Sequence, residues 1–180
     1  VFFPSYDYLR SAVKVFENRF PMIELLVQHR KMSDEDRQKF LSAFKDDAEV
    51  CGFAVMGGAF SEGVDLKGNR LIGAVVVGVG LPQIGIERDL VRDHFPETGF
   101  EYAYQYPGLV RVLQTAGRVI RDEKDRGIIC LVDRRYRESR YLDLLPSEWV
   151  PRVCKNTAEV AVNLKSFWNS QQKSIGPSET

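Results

Sequence analysis

Histidine is almost missing from this chain, with two in 180 residues, and cysteine is scarce, with three. Cys51, Cys130 and Cys154 stand far apart and form no CxxC pair, which argues against a zinc site, an iron–sulfur cluster and a secreted disulfide framework. Cys51 and Cys130 sit in apolar runs and are expected to be plain core thiols. Neither His29 nor His94 has a ligand or triad partner at a recognisable spacing, so both are expected on the surface. No GxSxG run occurs, nor any GxxxxGK followed by Ser or Thr, which removes serine-hydrolase and stand-alone phosphate-loop readings. No sign of charge dominates, with 25 basic against 25 acidic residues, so any nucleic-acid contact must come from a local patch. The longest apolar run, LIGAVVVGVGLP, is too short to span a bilayer. No signal peptide is visible, and the chain opens on Val1 rather than Met, so part of a longer polypeptide is expected.

The residues that are present describe an ordinary globular chain, 44% hydrophobic and 28% charged. Its length suits one domain that buries about 70% of its unfolded surface. Four continuous apolar runs, MIELLVQ (22–28), CGFAVM (51–56), LIGAVVVGVG (71–80) and GIICLVD (127–133), have the pattern of strands buried on both faces of a parallel sheet. The opening VFF looks like a shortened fifth. Helical stretches alternate with them: SYDYLRSAVKVFENRF, SDEDRQKFLSAFKD, and a long segment from about 106 to 122. The pattern predicts a three-layer α/β domain with a mainly parallel central sheet flanked by helices. NTAEVAVNLKSFW predicts a last helix that packs Val160, Leu164 and Phe167 onto the sheet, before a polar tail over 171–180 expected to fray. One domain is expected over 1–170, since no repeat and no linker marks a second.

Two stretches imitate known motifs. DEDR in SDEDRQKF resembles an acidic metal box, but HRKMS precedes it where such a box needs a buried strand, and Ser33 three residues before Asp36 predicts a helix N-cap. VVVGVGLPQIG resembles a GxGxxG dinucleotide fingerprint, yet Gln83 stands at the third glycine position, Pro82 interrupts the loop and Gly85 comes two residues late.

Two constellations carry more. On a helix beginning at Pro107 and Gly108, the residues Leu109, Val112, Leu113, Ala116, Val119 and Ile120 fall on one side. Arg111, Gln114, Arg118 and Arg121 fall on the other, within about 80°. Guanidinium forks suit phosphate oxygens because they offer paired donors and keep their charge. On the segment alone a surface helix wearing ordinary arginines is the plainer reading, although neighbouring guanidiniums repel and a phosphate would relieve them. The second constellation is GGAFSEGVDLKG (57–68), directly after CGFAVM. Its glycines permit close approach of a ligand, and its position is the carboxyl end of a strand, where open α/β sheets collect ligands. Ser61 offers a hydroxyl suited to a phosphodiester and Asp65 could accept bonds from a ribose; a plain glycine-rich turn is the alternative.

Taken in order, VFFPSY, GGAFSEGVDL, QTAGRVIR and DRGIICLVDRRY resemble the second (C-terminal) motor lobe of DinG/XPD-type superfamily 2 DNA helicases, over residues 1 to about 150. The resemblance implies a RecA-like lobe, with ATP in the cleft between two such lobes and single-stranded DNA across their top. QTAGRVIR resembles motif VI, which implies that Gln114, Arg118 and Arg121 face the ATP phosphates, with Arg121 ahead of Arg118 as the arginine finger, and that Gly117 lets the helix come close. Such a finger is worth about 10³–10⁵ in rate in comparable enzymes. GGAFSEGVDL resembles motif V, which implies Gly63 and Asp65 at the nucleotide, Ser61 at a DNA phosphate and Glu62 holding the loop. VFFPSY resembles motif IV, which implies Ser5 and Tyr6 near the DNA backbone. LVDRRY carries the family's Asp-basic-Arg-aromatic element at Asp133 to Tyr136.

The missing phosphate loop, acidic Mg²⁺ box and cysteine cluster belong to the family's first lobe. The resemblance therefore implies a chain that holds lobe two alone, without a metal site, and hydrolyses no ATP by itself. Its implied partners are the N-terminal motor lobe of the same protein and single-stranded DNA tracked 5′ to 3′, with no membrane, in a bacterial cytoplasm at the nucleoid rather than a nucleus. Residues 111 to 140 hold nine Lys/Arg against five Asp/Glu, a modest positive face that suits weak backbone contact. YAYQYPG (102–108) brings three tyrosines, for packing or for stacking on bases. Two other classes stay open: a non-catalytic helicase-like module that only docks protein or nucleic acid, and a nucleotide-cofactor enzyme.

Overall fold

Each of the five apolar runs supplies a strand. The computed structural model describes residues 1–62, 66, 68–119 and 125–174. Strands β1 (Phe2–Phe3), β2 (Glu24–Val27), β3 (Val50–Val55), β4 (Gly73–Val77) and β5 (Ile128–Val132) form one sheet in the order β2-β3-β1-β4-β5, with all neighbours parallel. The shortest strand is central: Phe2 pairs with Ala54 on one side and Val76 on the other. Seven α-helices are described: α1 (Tyr6–Arg19), α2 (Asp34–Ser42), α3 (Ala59–Glu62), α4 (Ile86–His94), α5 (Tyr106–Ala116), α6 (Ser139–Leu142) and α7 (Thr157–Ser174). The expected α/β class with a parallel sheet is what the chain adopts.

The layers follow from the two-residue period of a strand. Phe53 packs with Phe3 and Leu9 of α1, whereas Ala54, the next residue, packs with Phe40 and Phe44 from the α2 segment and Phe60 of α3. Consecutive side chains of β3 thus enter different cores on opposite faces. Helix α2 starts as expected: Ser33 Oγ accepts from the Asp36 N–H at 3.1 Å, and Asp36 Oδ2 accepts from the Ser33 N–H at 3.1 Å, a reciprocal capping box.

The 106–122 helix is revised at both ends. Helical backbone already runs through residues 99–105, with a π-helical turn over Glu101–Gln105 whose closing Tyr106 N–H donates to the Glu101 carbonyl. Pro107 has no N–H to continue the ladder, and the widened turn before it accommodates that loss. At the other end α5 stops at Ala116. The Gly117 N–H donates to Leu113 O at 2.8 Å, then Arg118 N–H to Thr115 O at 3.2 Å and Val119 N–H to Ala116 O at 3.0 Å, a tight 3₁₀-type finish. The buried side is as expected for Leu109, Val112, Ala116 and Val119.

Gly80 of the dinucleotide look-alike has a packing reason instead. Gly80 (φ +67°) faces Gly108 so closely that a Cβ at 80 would sit 2.4 Å from the Gly108 carbonyl oxygen, and one at 108 would sit 2.7 Å from Val79 O. Backbone meets backbone where α5 crosses the loop after β4.

The chain divides into two compact units, Val1–Leu144 and Leu145–Thr180. In the second, Asn156 Oδ1 accepts from the Glu159 N–H at 2.9 Å at the start of α7. Leu164, expected in a core, is 36% exposed. Among the described residues, no helix is long and apolar enough to cross a membrane.

Candidate functional site

Because all five strands run the same way, their carboxyl ends share one edge of the sheet, and the loops there can build a common site. After β1 comes Ser5, the N-cap of α1, whose Oγ accepts from the Tyr8 N–H at 3.2 Å. The expected DNA-contacting hydroxyl therefore already serves as a cap. Tyr6 follows, half-buried, with the Arg30 guanidinium 4.8 Å from its ring centroid. After β2 comes Gln28, which is buried; its Oε1 accepts from the Val55 N–H at 2.8 Å and its backbone N–H donates to Phe53 O. A Cβ at Gly58 would lie 3.0 Å from Gln28 Nε2, so this amide fixes the turn that leaves β3.

That turn is the first part of the 57–68 segment. Gly57 has φ +71°, a left-handed conformation, and the Arg111 side chain of α5 lies over it: a Cβ there would meet Arg111 Nε at 3.3 Å and Cδ at 3.4 Å. Ser61 and Glu62 close the short helix α3, which packs against α5. Gly63 and Asp65 lie outside the described residues.

Along α5, Gln114 is exposed and Arg118 is half-buried in the turn beyond the helix end. Arg118 thus leaves the helical strip that its spacing from Gln114 suggests, because the helix ends at Ala116. Arg121 lies outside the described residues. Among the described residues, the atoms nearest a Cβ at Gly117, within 4 Å, are the carbonyls of Leu113 and Gln114 in its own helix. Its place is the helix terminus.

Past β5, Asp133 accepts from the Arg135 backbone N–H at 2.9 Å and from the Arg135 fork at 3.0 and 2.8 Å. The Arg135 fork holds the Asp133 carboxyl below the usual carboxylate range, against the opposing effect of burial. Tyr136 is buried and donates its hydroxyl to Gly78 O at 2.9 Å, and burial pushes its phenol well up. This element staples the end of β5 to the end of β4, leaving Arg134 and Arg137 exposed. Sequence reasoning missed the roles of Gln28 and Arg30. A buried glutamine ending a strand is a signal for the first, while the Arg30–Tyr6 contact, 24 residues apart, leaves none.

A family model described as helicase C-terminal domain matches residues 1–152. The chain belongs to that family. Among relatives of this helicase C-terminal domain, the ATP-dependent DNA helicase CHL1 of Kluyveromyces lactis is 27% identical over 96% of the chain and 24% of its own length. The regulator of telomere elongation helicase 1 homolog of Drosophila grimshawi is 27% identical over 83% of the chain and 17% of its length. The chain therefore spans no more than about a quarter of these curated relatives. Two solved XPD helicase structures, each 24% identical, share the fold, at TM-score 0.61 over 78% of this chain and 25% of theirs, and 0.62 over 79% and 30%. The resemblance carried by the four motifs thus names the right family.

Proposed function

We propose that this helicase C-terminal domain is the second motor lobe of an ATP-dependent DNA helicase, forming half of a nucleotide cleft whose other half lies in an N-terminal lobe. The observation that carries the reading is the contact between the 57–62 turn and α5, which brings motif V and the approach to motif VI together at the sheet's carboxyl edge. In this reading Arg121, with Arg118 beside it, stabilises charge on the transferring phosphoryl, and Gln114, Gly63 and Asp65 contact the nucleotide. Ser5, Tyr6 and Ser61 follow the backbone of single-stranded DNA, along which ATP turnover drives the protein. In this reading Mg²⁺ is held mainly by the N-terminal lobe, as the family resemblance implies.

The test is ATP turnover by the full-length protein, with and without single-stranded DNA. Turnover should rise with DNA, and Arg121→Ala should lower it about 10³-fold or more while the circular dichroism spectrum is unchanged. A folded Arg121→Ala protein that turns over ATP at the parent rate removes the finger assignment. Full-length protein without DNA-stimulated turnover removes the motor reading.

A further inference from the structure

Arg111 is half-buried on α5, and its side chain lies over Gly57. Among the described residues no carboxylate pairs with it and none of its side-chain nitrogens makes a hydrogen bond, although Thr115 Oγ1 donates to its backbone carbonyl at 2.8 Å. An arginine can serve as packing through its stem alone, but withdrawing the fork from water without an anion costs free energy. The surroundings keep room for one. Gly57 carries no Cβ, and any side chain there would press on Nε, Cδ and Cζ of Arg111 at 3.3 to 3.6 Å. The turn is also left-handed at Gly57, a conformation that glycine adopts without steric cost. Five in-plane donors that never lose their proton, held across a glycine turn at the carboxyl edge of a parallel sheet, match a phosphate oxyanion.

We propose that Arg111 is a further phosphate-binding residue of this site, taking an oxyanion over the Gly57 turn from the nucleotide or from the DNA backbone. The proposal rests on the motor reading for the identity of those two sources. Its chemistry is separate from motif VI: Arg111 is two turns upstream of Arg118 and lies on α5 itself, over the turn after β3.

The experiment uses the full-length protein carrying Arg111→Met, which keeps an apolar stem over Gly57 but removes the charge, and Arg111→Lys, which restores charge without the fork. Two arms separate the sources: the KM for ATP in DNA-stimulated turnover, and the salt dependence of binding to a single-stranded oligothymidine without nucleotide. A nucleotide contact appears as a KM raised about 10-fold or more with the salt slope unchanged. A DNA contact appears as a slope smaller by about 0.7 with KM unchanged. Either result supports the proposal, and Arg111→Lys should then recover part of the loss. Arg111→Met that melts like the parent and keeps both quantities within about twofold overturns it, as does Arg111→Met that changes only the melting temperature. If the parent lacks ATP turnover, the motor reading fails, and the salt-slope arm alone still decides Arg111.

Discussion

At the scale of single residues, the clearest structural demand falls on Gly80. It combines a left-handed backbone with a carbonyl 2.4 Å from where a Cβ would stand, and that carbonyl belongs to Gly108 on a packed helix. Gly68 has the same backbone sign, φ +66°, but among the described residues nothing lies within 4 Å of its Cβ position. The pair separates strain from collision. Gly68→Ala should cost about 1–2 kcal/mol from conformation alone. Gly80→Ala should cost that and more, above about 3 kcal/mol, because α5 must move off the loop. Urea unfolding of both variants checks this; equal costs would mean that the helix shifts without resistance. Neither glycine's role was legible in the sequence. The GxGxxG look-alike is set aside as a ligand site but says nothing of what Gly80 packs against; its partner is Gly108, 28 residues away, and pairings of that kind leave no local pattern.

At the scale of elements, the β5 end is tied to the β4 end by their parallel ladder, by the Gly78 N–H donating to Val132 O at 3.0 Å, and by a short staple, Asp133–Arg135 with Tyr136 on Gly78 O, that includes one carboxylate. The Asp133 carboxyl titrates below its ordinary range because Arg135 bonds its charged form. A carboxyl depressed on folding contributes stability that is complete above its unfolded pKa, about 3.9, and is lost as pH falls through the lower folded value. Asp133→Asn should therefore destabilise by about 1–2 kcal/mol at pH 7, and the difference from the parent should shrink toward zero below about pH 4. Denaturation midpoints across that range check it, and a pH-independent difference would mean that the charge does not matter. The sequence marked Asp133 and Arg135 as an element without showing what it holds. Strands were plainer, since continuous apolar runs survive any tertiary detail. Helix ends were not: Val119 keeps the apolar spacing of α5 and is buried, yet a tight turn, not α-helix, delivers it there. Helix α4 escaped notice because it buries no residue, and its Ile86 and Leu90 are exposed instead of completing a core face.

At the scale of the whole molecule, equal numbers of acidic and basic residues mean that no long-range field gathers a polyanion, and binding must arise where charge is unevenly distributed. Two places have that character. One is the 111–140 stretch, with nine basic against five acidic residues; the other is His29–Arg30–Lys31 after β2, where Arg30 stacks on Tyr6. Stacking occupies the face of the guanidinium and leaves its edge donors for a phosphate. A few such contacts give affinity that is weak and steep in salt, since each neutralised phosphate on a single strand contributes about 0.7 to the slope. The 180-residue chain alone should bind an oligothymidine with a slope of about −2 to −3, losing roughly 20- to 60-fold in affinity between about 50 and 200 mM salt. It should show no ATP turnover under the same conditions, because the phosphate-loop pattern GxxxxGKS/T occurs nowhere in it. Fluorescence anisotropy across the salt series and a coupled ATPase assay measure both. Turnover by the chain alone at the rate of the full-length protein would contradict a cleft shared between two lobes, and salt-independent binding would contradict phosphate contacts as its source.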